Sequence, residues 1–119
     1  MNQNYLFENI DLAVTICDEN LKIVYMNKKS IDNFQDEGGE KLIGTNLLNC
    51  HSESSKEMIL KIKNELFVNC YTIEKNGIKS MIRQSPIVEN NEFKGIIEIS
   101  FQLSDENPHF VRQDKDIIE

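Results

Sequence analysis

Cys50 and His51 are adjacent, and together they carry more chemistry than any other pair in this sequence. An imidazole titrates near neutral pH, and either an imidazole or a thiolate can hold a haem iron. The pair stands just before an amphipathic stretch that Ser52 or Ser54 can cap, with Ser54 and Glu57 at capping-box spacing. The plainer role is structural, with both residues orienting a loop by hydrogen bonds. No second histidine is near, because His109 lies in the C-terminal stretch. Cys17, Cys50 and Cys70 are odd in number and widely spaced, without a C-x-x-C. That pattern predicts reduced thiols rather than a disulfide framework or a structural zinc site. Cys17 and Cys70 each sit on an apolar, strand-like run and read as small buried residues. Arg83 stands in another such run, where an inward guanidinium would need an anionic partner. Its neighbours Met81 and Ile82 leave its face open.

Catalysis is not expected. The sequence has no P-loop, no G-x-G-x-x-G and no H-E-x-x-H. Neighbouring residues such as Cys50 and His51 rarely meet as a nucleophile and its base, and Asp11 and Asp18 flank a strand as turn residues do. With 119 residues, 39% of them apolar, there is room for one domain and one core. A net charge of -7 leaves no cationic footprint for nucleic acid or for an anionic membrane surface. No apolar run is long enough to span a bilayer, and the N-terminus lacks the pattern of a signal peptide. A cytoplasmic location is the expectation.

The elements that must position these residues follow from apolar spacing. Asn4 to Ile10 reads as a short helix with one greasy side. Leu12 to Cys17 and Leu21 to Met26 read as a hairpin closed by Asp18-Glu19-Asn20. Asn27 to Phe34 and Glu40 to Ile43 fit short helical pieces, and Gly44 suits the positive φ that ends them. The clearest helix carries Met58, Ile59, Ile62 and Leu66 on one face. Three strand-like runs follow. Phe67 to Ile73 meets the run from Ile78 through an Asn76-Gly77 hairpin signal, and Ser85-Pro86 marks a bulge or an edge. From Phe93 to Leu103 the alternation puts Phe93, Gly95, Ile97, Ile99, Phe101 and Leu103 on one face, as in a central strand. The class is α+β with an antiparallel sheet, organised as an N-terminal helical cap at 1–10, a core at 11–103 and an acidic tail at 104–119.

In this order the pattern resembles a PAS domain over Leu6 to Leu103. Asp18-x-x-x-x-Ile23-x-Tyr25-x-Asn27 looks like the first PAS hairpin, with Asn20 near the place of the usual turn glycine. Lys41-Leu42-Ile43-Gly44 looks like the short helix that ends in glycine, and Ser85-Pro86-Ile87 with Phe93 to Glu98 resembles the last two strands. Gly44 to His51 is similar to a subgroup with G-x-x-x-x-x-C-H before the long helix. Pro108 to Arg112 resembles the end of small members that stand alone, and with Met1 it favours such a protein working through a partner over a fragment of a longer protein.

The resemblance implies a PAS-like five-stranded antiparallel sheet with helices packed over one face, enclosing a pocket. It implies a bacterial-type signal-transduction sensor that binds a small molecule and signals through changes of assembly, as in transcription regulation. The alternatives are a dimerisation module with no ligand, or a haem-binding redox or gas sensor using His51. The expected pocket lies between sheet and long helix. Its ligand-binding residues are Cys50, His51, Met58, Ile62, Arg83, Ile97, Ile99 and Phe101, with Met81 as an alternative to Arg83. Haem is the candidate cofactor. Flavin photochemistry is disfavoured, because Cys50 comes four residues after Asn46 where light-sensing relatives have a cysteine directly after the asparagine. Tyr5, Leu6, Phe7 and Ile10 are the expected homodimer contact, since so short a helix cannot bury all four.

Overall fold

A computed structural model of the chain describes residues 5–50 and 52–115, with Cys50 described by its backbone alone. Helix α1 (Tyr5–Glu8) leads into strands β1 (Ala13–Asp18) and β2 (Ile23–Met26), then helix α2 (Lys28–Asn33). Three 3₁₀ turns follow at Gln35–Glu37, Gly39–Leu42 and Leu47–Cys50, and helix α3 covers Glu53–Glu65. Strands β3 (Asn69–Lys75), β4 (Ile78–Glu89) and β5 (Glu92–Gln102) complete one antiparallel sheet, in the order β2-β1-β5-β4-β3. This is the expected α+β architecture, and β5 is the central strand. Helix α2 packs on β1, and α3 packs on β4 and β5. The described part of the tail, 104–115, has neither helix nor strand. Among the described residues no helix is long and apolar enough to cross a membrane.

The turns follow local chemistry. Asn76 and Gly77 have φ of 53° and 78°, and Asn90 and Asn91 have φ of 53° and 64°. Positive φ at both central residues matches the right-handed twist of the strands that such a turn joins. In the first hairpin Asp18 Oδ1 accepts from the backbone N–H groups of Asn20 and Lys22. The left-handed residue there is Leu21 (φ 64°), not Asn20. Leu21 is buried in the core, so burial worth about 2 kcal/mol offsets a backbone cost of similar size. Pro86 lies within β4 and does not end it. Pairing with β3 stops at Gln84, so β4 is an edge on that side and the missing N–H is tolerated.

The core gathers Cys17, Leu21, Ile23, Met26 and Ile96 from the sheet with Leu47 and with Ile59 and Ile62 of α3. Two local features set its geometry. The first is Asn27, which is fully buried. Its Oδ1 accepts from Val14 N (2.9 Å) and from Ser30 N (3.0 Å), the latter capping α2. Its Nδ2 donates to Phe7 O (2.8 Å) and Leu12 O (2.7 Å). One side chain thus joins α1, β1 and α2. The second is a bulge in β5. Ile87 pairs with Gly95 and Val88 with Phe93, so Lys94 has no counterpart on β4. At Gly95 (φ 153°) a Cβ would lie 2.2 Å from the Cys17 carbonyl oxygen, so only glycine allows this approach.

The bulge reverses the expected face of β5. Phe93 packs on the core, and beyond the bulge Ile96 does too, so Glu98, Ser100 and Gln102 share the helix-covered face. Ile97, Ile99, Phe101 and Leu103 alternate onto the other face, contrary to the expectation that they continue the row of Phe93.

Two substitutions test this frame by denaturant unfolding. Asn27→Ala strands two carbonyls and two buried N–H groups and lowers stability by about 3–5 kcal/mol. Gly95→Ala forces β5 away from β1 and costs about 3 kcal/mol, whereas Gly77→Ala, with open space around it, costs only its left-handed strain of about 1 kcal/mol. Equal effects at Gly95 and Gly77 would contradict the close approach.

Candidate functional site

The helix-covered face of the sheet does not close completely over its middle strands. A cavity of about 120 Å³ and a cleft of about 360 Å³ adjoin there, and both are lined by Phe34, Glu37 and Glu98. The smaller is completed by Thr15, Ile23, Met26, Leu42 and Leu47. The larger runs out along Ile82 and Ser100 towards Ile73 and the β3–β4 turn. The helical segment that lines these two spaces is therefore α2 with its following turns, not α3.

A polar row crosses the floor. Asn69, Gln84, Glu98 and Thr15 are consecutive register partners on four strands, so their side chains stand side by side. Asn69 Nδ2 donates to Gln84 Oε1 (2.9 Å), and Gln84 Nε2 donates to Glu98 Oε2 (2.9 Å). Gln84 is only 4% exposed, and this chain fixes its amide orientation. Thr15 Oγ1 shares a 2.5 Å hydrogen bond with Ser30 Oγ of α2. The second oxygen of Glu98 has no partner among the described residues. Its charge reaches its neighbours: burial first, then Glu98, pushes the Tyr71 phenol up. Burial pushes the Cys17 thiol up to about 11, with Asp18 and Glu98 adding to it. Such a thiol is neutral and inert. Lys29 borders the cleft, but its ammonium is paired with Asp11 and holds that carboxyl below the usual carboxylate range.

The residues expected from sequence to line a pocket fall in different places. Ile62 is completely buried in the packed core with Ile59, and Met58 is half-buried beside them on α3; neither borders the cleft. Arg83 pairs with Ile99 and with Cys70, and Ile97 pairs with Ile16, all on the opposite face, where Arg83 is exposed and meets no buried anion. Met81 pairs with Phe101 on that face as well. Phe101 borders the open end of the larger cleft between Ser100 and Gln102. Cys70 is exposed, because β3 is an edge strand, while Cys17 is buried as expected. His51 and the side chain of Cys50 lie outside the described residues, as do 1–4 and 116–119 of the two terminal segments. Among the described residues no three His, Cys, Asp or Glu side chains gather to hold a metal ion.

Sequence reading missed Glu98, Gln84, Asn69, Glu37 and Phe34 as site residues. One signal was available: a glycine inside a strand pattern marks a bulge or a close backbone approach, and either interrupts the alternation.

No family model matches the sequence, and no curated protein matches it. Solved structures do match. A C-terminal domain from Streptococcus mutans is similar over 83% of this chain and 81% of its own, at 14% identity and a TM-score of 0.67. The PAS domain of Bordetella pertussis BvgS is similar over 87% and 85%, at 14% identity and 0.63. The Aer2 receptor from Vibrio cholerae, a dual PAS-haem oxygen sensor, is similar over 78% and 95%, at 11% identity and 0.58. At these identities the likeness is one of fold, and the fold is that of PAS domains.

The raised Cys17 thiol gives a pH prediction. Its folded value near 11 exceeds the ordinary 9.0, so the unfolded chain loses that proton first as pH rises. Its contribution is intact below pH 9 and is lost between 9 and 11, by about 2–3 kcal/mol in all. Chemical unfolding across that range should fall more steeply for the native chain than for Cys17→Ala. Parallel curves would contradict the burial of the thiol.

Proposed function

We propose that this chain is a PAS-type sensor domain acting in signal transduction, which binds a small molecule in the cleft over Glu98 and signals through a change in its assembly. The observation that carries the reading is a carboxylate held in place by the buried amide of Gln84, itself oriented by Asn69, at the floor of an apolar cavity. Such a group costs stability wherever water is excluded, and a mostly apolar cleft with a few oriented polar groups is the usual form of a small-molecule site. Fold alone would not choose this use. A route for the signal also exists. Lys29, Asn33 and Phe34 border the cleft on or just after α2, and Asn27 ties the start of α2 to Phe7 and Leu12 of the N-terminal segment. A ligand that shifts α2 acts on α1 through that one side chain.

A dimeric assembly has its own support. Tyr5 and Leu6 are 57% and 55% exposed, and Ile97, Ile99, Phe101 and Met81 form an apolar stripe on the far face of the sheet beside the exposed Arg83. We propose that a second copy of the chain covers these residues, either under ligand control or as the sole function of a dimerisation module. Haem bound through His51 is the remaining alternative; the described lining of the cleft holds Met26 but no histidine or cysteine.

Native mass spectrometry of freshly purified protein tests the ligand reading. The expected result is added small-molecule mass on the native chain, absent from Ile82→Trp, whose indole would fill the cleft. The bare mass alone, together with no compound that raises the melting temperature of the native chain above that of Ile82→Trp, would leave the dimerisation module. A Soret band lost in His51→Ala would make the protein a haem sensor instead. Leu6→Glu should convert a dimer into a monomer in sedimentation while changing stability by less than about 0.5 kcal/mol. A native chain that sediments as a monomer would contradict the dimer.

A further inference from the structure

We infer that the ligand of the cleft is a small organic cation, a primary ammonium on a short apolar body, with its charge at Glu98 and Glu37 and its body in the smaller cavity. The inference rests on the reading of the cleft as a ligand site and names the chemistry of what enters it.

Among the described residues the smaller cavity is lined by two carboxylates and by no lysine, arginine or histidine. Its other walls are aliphatic, apart from Thr15 and the ring of Phe34. Glu98 is not a stray surface acid. Its Oε2 is fixed by Gln84, whose own oxygen is held by Asn69, so the carboxylate is oriented before any ligand arrives. The other oxygen remains to accept a hydrogen bond, and no cation among the described residues pairs with Glu98. Lys29 is paired with Asp11, and Lys75 stands at the turn end of the larger cleft. An ammonium would therefore find two unneutralised carboxylates and an aromatic ring that borders both cavities.

Other ligand classes fit less well. A neutral ligand would strip water from Glu98 without replacing its counter-charge, and an anion would add repulsion. A calcium or magnesium ion takes six or more oxygens, and the side chains lining the cavity offer none beyond the carboxylates and Thr15. Size sets the body: at about 30 Å³ for each water-sized atom, a cavity of about 120 Å³ takes roughly four heavy atoms, which leaves the charged end at Glu37 and Glu98, shared with the larger cleft.

The test uses three probes of one shape, n-pentylammonium, pentan-1-ol and pentanoate, titrated into ¹⁵N-labelled protein. The side-chain amide of Gln84 is the reporter, because it donates to Glu98. We expect saturable shifts of that amide with pentylammonium, and binding weaker by about tenfold or more for the alcohol and the carboxylate. Glu98→Gln should reduce pentylammonium affinity by about tenfold and leave the alcohol unchanged. The exposed Glu37→Gln should act in the same direction without touching the fold, which covers the case in which Glu98→Gln unfolds. The inference is overturned if alcohol or carboxylate binds as tightly as the amine, if calcium displaces the amine at lower concentration, or if both variants keep the native affinity. Failure of all three probes also overturns it. The broader reading would still stand if native mass spectrometry finds a ligand that Ile82→Trp excludes.

Discussion

The approach of Gly95 to the Cys17 carbonyl governs the rest of this molecule. A side chain at that point would lie 2.2 Å from a backbone oxygen, so β5 can sit beside β1 in this register only with glycine there. Lys94 beside it has no register partner on β4, which lets β5 present Phe93 and Ile96 to the same core, on opposite sides of a bulge. Everything beyond inherits that parity. Glu98 and Ser100 are turned towards the helices, and a run of isoleucines is turned away from them. Without the bulge, the central strand would offer the helices an aliphatic face and no cleft chemistry would exist.

The polar floor is stable because it is shared. Four strands each contribute one side chain to a single row, and three of those side chains are linked by two hydrogen bonds. A glutamate alone in such a place would carry the full cost of desolvation, whereas a charge fixed by oriented amides keeps part of its solvation. Asn27 has the same logic at the other end of the sheet. Its four hydrogen bonds hold together segments that aliphatic packing alone would leave free to slide. The floor fixes where a ligand's polar group would go, and Asn27 fixes which elements move with α2. Sensing and relay would then rest on two amide networks within one small domain.

Much of the fold was legible in the sequence. Asn76-Gly77 located a hairpin because few dipeptides accept positive φ twice, and the spacing of Ile59 and Ile62 located the buried face of α3. The site was legible only in part. Alternation read straight through Gly95 assigns Ile97 and Ile99 to the interior, because strand periodicity has no memory of an inserted residue. The placement of the cleft under α2 depends on how far α3 sinks into the core, a tertiary matter that the helix's own pattern does not encode. Cys70 looked buried because its strand is apolar, but an edge strand leaves such residues exposed.

The parity of β5 is the claim on which cleft, ligand and relay all depend, and methyl nuclear Overhauser spectroscopy measures it directly. This parity requires cross-peaks from the Ile96 methyls to those of Ile59 or Ile62 on α3, and from Ile97 to Ile16 on the far face. Cross-peaks from Ile97 or Ile99 to the α3 methyls would put Glu98 on the outside of the sheet and contradict the account at its root.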